Sequence, residues 1–174
     1  MLVLLVDDHA VLREGIRKLV GEQFRAVMLE AADAETGMKL FRAKRPDITI
    51  IDLNLEKTGG LELLRRLLAA DPKANILVFT THAEPVYAAR ALKAGAKGYV
   101  SKSAPVEELI AGLKKVAEGR QYIDRDVAAK LAICQFTSED PMQKLSAREL
   151  EILRKLGGGS SLSDIAESLG VAYK

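Results

Sequence analysis

The chain is poor in the features that mark several protein classes. It has one cysteine, Cys134, in 174 residues, so no internal disulfide can form. With no histidine or second cysteine near it in sequence, that thiol reads as an inert group of a protein kept in a reducing cytoplasm. No apolar run approaches the roughly 18 residues of a membrane span. The N-terminus opens directly on a strand-like run without the basic region of a signal peptide, so a cytoplasmic location is expected. Charge of one sign is also lacking. The formal net charge is +2, with a slight basic excess as far as Arg120 and a slight acidic excess after it. No strong field calls for a nucleic-acid or membrane partner. Neither an internal repeat nor a low-complexity tract is present. The 48% hydrophobic and 29% charged residues are ordinary for a globular chain, long enough for one packed domain and an appendage.

What is present is an alternation. Strand-like runs at Leu2-Val3-Leu4-Leu5-Val6, Val27-Met28-Leu29, Ile48-Thr49-Ile50-Ile51, Ile76-Leu77-Val78-Phe79 and Gly98-Tyr99-Val100 are separated by stretches of helical period. The helices are expected after Asp8, over about Ala34 to Ala43, around Leu61, Leu64 and Leu68, from about Pro85 to Lys93, and along Val106, Leu109, Leu113 and Val116. Pro46 stops the second, because proline cannot continue a helix, and Gly95 suits the end of the fourth. Five such units predict a five-stranded, parallel, doubly wound α/β sheet. Right-handed crossovers then bring the ends of the first, third, fourth and fifth strands to one edge.

The residues at those ends carry the chemistry. They are Asp7 and Asp8, then Asp52, then Thr80, then Lys102. Parallel strands bind ligands at this edge. Three crowded carboxylates repel until a divalent cation joins them, and Mg²⁺ takes one or two carboxylates with waters and phosphate oxygens. A carboxylate is a weak nucleophile that becomes useful when a metal and a cation neutralise an incoming phosphoryl group. Lys102 suits pairing with Asp52 at rest and with a phosphoryl oxygen afterwards, and Thr80 suits a hydrogen bond to that oxygen. The plain structural alternative is that a strand-terminal Asp such as Asp8 only caps the next helix.

The motifs Val6-Asp7-Asp8-His9, Asp52-Leu53-Asn54-Leu55, Gly59-Gly60-Leu61-Glu62, Phe79-Thr80-Thr81 and Ala94-Gly95-Ala96-Lys97-Gly98-Tyr99-Val100-Ser101-Lys102 together resemble the receiver domain of two-component response regulators. The match runs over essentially all of residues 1–119. The resemblance implies a flavodoxin-like fold, Asp52 as phospho-acceptor, and Mg²⁺ held by Asp7, Asp8, Asp52 and the backbone carbonyl of Asn54. It further implies Thr80 as switch hydroxyl, Tyr99 as switch aromatic, Lys102 as the phosphate-pairing cation, and a sensor histidine kinase as donor. Phosphorylation would draw Thr80 inward, let Tyr99 turn in, remodel the face of the fourth helix, fifth strand and fifth helix, and support a homodimer. Two departures stand out. Glu56 occupies a place where many relatives have proline, and the family's frequent Lys-Pro pair is Lys102-Ser103. His9 is expected at the start of the first helix beside the carboxylates, as a metal or acid-base group or as a partly exposed loop residue. His82, two residues beyond Thr80, is expected either to influence phosphoryl lifetime or to be structurally bland.

A helical stretch from about Asp124 to Gln135 and a polar segment at 137–141 follow. Two short amphipathic helices come next, near Ser146 to Leu156 and Leu162 to Leu169. Ser146 with Glu149 makes a capping box for the first, and Ser161 or Ser163 caps the second. Leu150, Leu153, Ile165, Ala166 and Leu169, with the spacing through Gly159, resemble the start of a LuxR-type helix-turn-helix, which implies the NarL/FixJ subclass. The recognition helix of such a motif would begin just beyond Val171, and the chain ends at Lys174. The expected organisation is therefore a receiver at 1–119, a helical linker at 120–144 and an incomplete helix-turn-helix domain at 145–174. DNA would be a partner only of a form with residues beyond Lys174. Three functions stay open at this point: a phosphorylation-switched transcription regulator that is not itself an enzyme, a stand-alone receiver acting by protein contact, and a magnesium-dependent aspartyl phosphatase. The last generally needs an acid/base Asp two residues after its nucleophile, where this chain has Asn54.

Overall fold

Each apolar run forms a strand of one parallel sheet, and its residues alternate between two cores. The computed structural model describes residues 1–55 and 58–136, with Leu145, Ser146, Glu149, Ile152, Leu153, Lys155, Leu156, Ser161, Asp164 and Ile165. The order is β1 (Leu2–Val6), α1 (Ala10–Phe24), β2 (Val27–Ala31), α2 (Ala34–Lys44), β3 (Ile48–Ile51), α3 (Gly60–Ala70), β4 (Ile76–Thr80), α4 (Pro85–Ala94), β5 (Gly98–Ser101), α5 (Val106–Ala117), β6 (Tyr122–Ile123) and α6 (Arg125–Phe136). The strands lie in the order β2-β1-β3-β4-β5-β6, all parallel.

On one face Val3, Leu5, Ile48, Ile50, Leu77, Phe79 and Val100 pack against Ile16 and Val20 of α1 and Leu109, Leu113 and Val116 of α5. On the other, Leu4, Val6, Ile51, Ile76, Val78 and Tyr99 meet the buried residues of α2, α3 and α4, with Val127 of α6 joining them. Successive side chains of a strand point to opposite faces, so a sheet covered on both sides needs unbroken apolar strands. Burying a side chain of this size is worth about 1.5–3 kcal/mol.

Helix ends follow local chemistry. The Asp33 side chain accepts a hydrogen bond from the Thr36 backbone N–H at the start of α2, 2.8 Å long. That bond holds its carboxyl below the usual range. Lys44 ends the helix, Arg45 takes a left-handed conformation (φ 46°), and Pro46 follows. Gly95 closes α4 at φ 112°, where a side chain would be strained. The Ser146 and Glu149 capping box forms reciprocally. Ser161 exchanges hydrogen bonds with Asp164 in the manner of a cap. Ser163, Leu150, Gly159, Ala166, Leu169, Glu56 and the 137–141 segment lie outside the described residues.

The expectation of five strands is corrected to six. After α5, Gly119 (φ 76°) reverses the chain. Tyr122 N–H then donates to the Lys97 carbonyl, and Asp124 N–H to the Tyr99 carbonyl. Two residues are too short a run for any periodicity to reveal, and the pairing depends on β5 being there to receive them. Asp124 secures the corner. Its buried carboxylate accepts from the Ser101 N–H (2.7 Å) and from the Val127 N–H (2.9 Å), tying β5 to the first turn of α6. The stretch expected as a helical linker thus begins as sheet edge and continues as a helix packed on α4. Among the described residues no helix is long and apolar enough to cross a membrane.

Candidate functional site

The carboxyl ends of β1, β3, β4 and β5 converge, because β1 pairs with β3, β3 with β4 and β4 with β5. Asp7 and Asp52 are almost fully buried there, at 0% and 1% exposure. Lys102 bridges them, its Nζ 2.6 Å from Asp52 Oδ2 and 2.7 Å from Asp7 Oδ2, with the side chain only 9% exposed. A lone buried carboxylate is costly, and this ammonium supplies the opposite charge both carboxylates need.

The site nevertheless stays short of positive charge and of hydrogen-bond donors. Asp7 Oδ2 and Asp8 Oδ1 are buried without a directed hydrogen bond. Lys102 Nζ lies 2.7 Å from Asp7 Oδ2 and His9 Nδ1 2.7 Å from Asp8 Oδ1, but neither is a well-aimed donor. Ligand atoms of Asp7, Asp8, His9 and Asp52 all lie within 4.8 Å of one another. An oxygen-rich group with orphaned buried acceptors fits a hard divalent cation. Asp8 does not cap α1. His9 takes the N-cap position, without a side-chain cap bond, and its backbone N–H donates to Asp7 Oδ1 (2.8 Å).

The loop after β3 is fixed from both sides. Asn54 N–H donates to Asp52 Oδ1 (3.1 Å), and Gly60 N–H donates to the Leu53 carbonyl (3.1 Å). A Cβ on Gly60 would stand 2.1 Å from the Asp52 carbonyl oxygen and 2.4 Å from Leu53 Cα, so only glycine permits this approach. The Asn54 side chain spans to the next loop. Its Nδ2 donates to Thr81 Oγ1 (2.7 Å), and its Oδ1 meets His82 Nε2 at 2.5 Å.

His82 is buried and central. Its ring stacks on Tyr87 of α4 with centroids 4.1 Å apart, and its Nδ1 is 3.5 Å from Glu84. Its backbone N–H faces Thr80 Oγ1 at 3.4 Å. Its carbonyl accepts the Tyr99 hydroxyl at 2.7 Å. Tyr99 is fully buried, and burial drives its phenol far above the ordinary range. In this structure the ring is already inside, held by that hydrogen bond. The peptide bond at Lys102-Ser103 is trans, as are all those described.

Sequence reasoning missed two contributors. Arg13 donates to the Asp7 carbonyl oxygen (2.7 Å) from one turn into α1 and reaches Glu30 at 3.5 Å. Asp124 anchors the strand that carries Lys102. Nothing in the spacing of Arg13 separates it from other surface arginines. A signal for Asp124 existed, since it directly precedes a helix, but it pointed only to capping.

The response regulator receiver domain matches residues 3–114. The methanol utilization control regulatory protein MoxX of Paracoccus denitrificans is 36% identical over 175 residues, covering 99% of this chain and 78% of MoxX. A crystal structure of a LuxR-family two-component response regulator from Aurantimonas sp. SI85-9A1 superposes with a TM-score of 0.75 at 38% identity, covering 78% of this chain and 97% of that one. The response regulator RcsB in complex with DNA superposes at 0.71 with 25% identity, covering 99% of this chain and 84% of RcsB.

Proposed function

The chain belongs to the two-component response regulators, in their NarL/FixJ branch, and on that premise we propose that it takes up its phosphoryl group on Asp52 and answers with a rearrangement around Thr80 and Tyr99. The observation that carries this reading is the buried Lys102 ammonium set against Asp52 and Asp7 at the carboxyl edge of the sheet.

In the proposed step, Asp52 Oδ attacks the phosphorus of a phosphohistidine on a sensor histidine kinase. A P–O bond forms, the P–N bond breaks, and the imidazole leaves with the electron pair. Mg²⁺ would be held by Asp7, Asp8, Asp52 and the Asn54 carbonyl, and when bound it offsets the negative charge of the transferring group. Lys102 orients Asp52 beforehand and pairs with a phosphoryl oxygen afterwards. Thr80 donates its hydroxyl to another. Because the Tyr99 hydroxyl already bonds the carbonyl of His82, phosphorylation favours this inward arrangement over an outward one rather than creating it. The reading as a switch rather than an aspartyl phosphatase rests on Asn54, since an amide is no general acid or base and this one is engaged by Thr81 and His82.

Residues 1–119 are proposed as the receiver, 120–144 as the helical connection and 145–174 as part of a LuxR-type helix-turn-helix domain. DNA is a proposed partner, by analogy with the RcsB complex, and a homodimer on phosphorylation is part of the same reading. Intact-mass spectrometry after incubation with acetyl phosphate tests the central step. A single phosphoryl adduct is expected with Mg²⁺ and none after chelation or in Asp52→Asn. Equal labelling of both proteins would refute it.

A further inference from the structure

The imidazole of His9 is 65% exposed, yet it is turned toward the carboxylates. Its Nδ1 lies 2.7 Å from Asp8 Oδ1 and 3.3 Å from Asp7 Oδ1. The side chain has no helix-capping duty to hold it there. The backbone fixes its root instead. His9 N–H donates to Asp7 Oδ1, and the His9 carbonyl accepts from Arg13 N–H (3.1 Å). An exposed imidazole-carboxylate pair is worth little by itself. What the pose adds is a nitrogen donor facing the same space as the buried, undonated oxygens of Asp7 and Asp8.

We propose that His9 is a metal ligand, which biases this site toward late first-row dications such as Ni²⁺, Co²⁺ and Zn²⁺ over Mg²⁺. The inference rests on the reading of Asp7, Asp8 and Asp52 as a cation site and adds a ligand that reading does not contain. Neighbouring ligands of a six-coordinate ion with bonds near 2.1 Å stand about 3.0 Å apart. The two Nδ1-to-oxygen separations, 2.7 and 3.3 Å, fall on either side of that edge, so a small movement of one ring suffices. Mg²⁺ gains little from replacing a water by imidazole nitrogen, being a hard ion that keeps its water shell. Affinity of mixed nitrogen-oxygen sites rises from Mn²⁺ toward Cu²⁺, and imidazole suits zinc, nickel and copper. His9 therefore sets which dication the site prefers, while the carboxylates set that it binds one at all.

The untagged 174-residue protein, His9→Ala and His9→Asn are titrated calorimetrically with NiCl₂ and with MgCl₂ at one buffered pH above the ordinary imidazole range, after circular dichroism has shown that all three are folded. Co²⁺ absorption spectra of the three proteins report on nitrogen ligation directly. Both variants should lose about tenfold or more in Ni²⁺ affinity, shift the Co²⁺ ligand-field bands, and change Mg²⁺ affinity by less than about twofold. Equal losses for the two metals would make His9 a support for the carboxylates rather than a ligand and overturn the proposal. No loss for either would do the same. Ni²⁺ binding that depends on His9 without any Mg²⁺ binding would remove the magnesium reading and leave His9 as a ligand. Absence of both would overturn both.

Discussion

At Lys102 one ammonium faces two buried carboxylates, and that imbalance sets what single substitutions do. Removing the ammonium leaves Asp7 and Asp52 buried without their partner, a change that typically costs about 3–5 kcal/mol. Lys102→Ala should therefore lose most of that amount in urea denaturation at neutral pH. Millimolar Mg²⁺ should restore part of it, whereas an equal loss with and without the metal would mean the cation does not enter among these carboxylates. Tyr99 is governed by a different term. Its hydroxyl donates to the His82 carbonyl in a dry site, so Tyr99→Phe should cost about 1 kcal/mol, the net worth of one hydrogen bond. A phenylalanine variant as stable as the parent would mean the hydroxyl does not hold the ring inward. The two residues also differ in how far the sequence revealed them. Lys102 was legible because a lone cation ends an apolar run. The inward pose of Tyr99 was not, since it depends on a carbonyl seventeen positions earlier in the chain.

Among the elements, α2 and α3 begin in contrasting ways. The Asp33 carboxylate caps α2, and the Thr36 N–H that it accepts is the main cause of its lowered pKa. A depressed carboxylate pKa contributes stability that is fully present above the unfolded value, near 3.9, and is lost as pH falls through the folded value. Asp33→Ala should cost about 1 kcal/mol at neutral pH. Its deficit should shrink in acid, below the ordinary carboxylate range, as measured by chemical denaturation across pH. A deficit independent of pH would assign the effect to something other than the charged cap. Helix α3 starts instead on Gly60, pressed against the backbone of Asp52 and Leu53 just past β3. Gly60→Ala must displace main chain, so a loss of about 1–3 kcal/mol or more is expected, with slower phosphoryl uptake. Strands and helices were readable because unbroken apolar runs and helical periods are strong local signals. Strand β6 was not, since two residues carry no period and Tyr122-Ile123 pairs only because β5 offers an edge. Gly59-Gly60 was legible only as part of a receiver-like motif, and the reason for glycine at 60, an approach to Asp52 itself, appears only in three dimensions.

Across the whole molecule, the loop after β3 (through His82) and Leu145 meet the same helix. Asn54 contacts His82, His82 stacks on Tyr87 of α4, and one turn further Arg90 donates to the Leu145 carbonyl. Arg90 also adds to the effects that lower the Glu149 carboxyl, behind the Ser146 hydrogen bonds. Leu145 and Leu131 pack on the core cluster that contains Tyr99. Arg90→Ala should leave the receiver's melting transition nearly unchanged while speeding amide exchange at Ser146 and Glu149. Unaltered exchange there would show that α4 does not hold the segment. The central proposal is that Asp52 is the group that accepts phosphate. The most direct measurement is borohydride trapping of the acyl phosphate after reaction with acetyl phosphate and Mg²⁺, followed by peptide mapping. Reduction should convert Asp52, and no other aspartate, to homoserine. Homoserine at Asp7 or Asp8, or labelling that survives Asp52→Asn, would contradict the account.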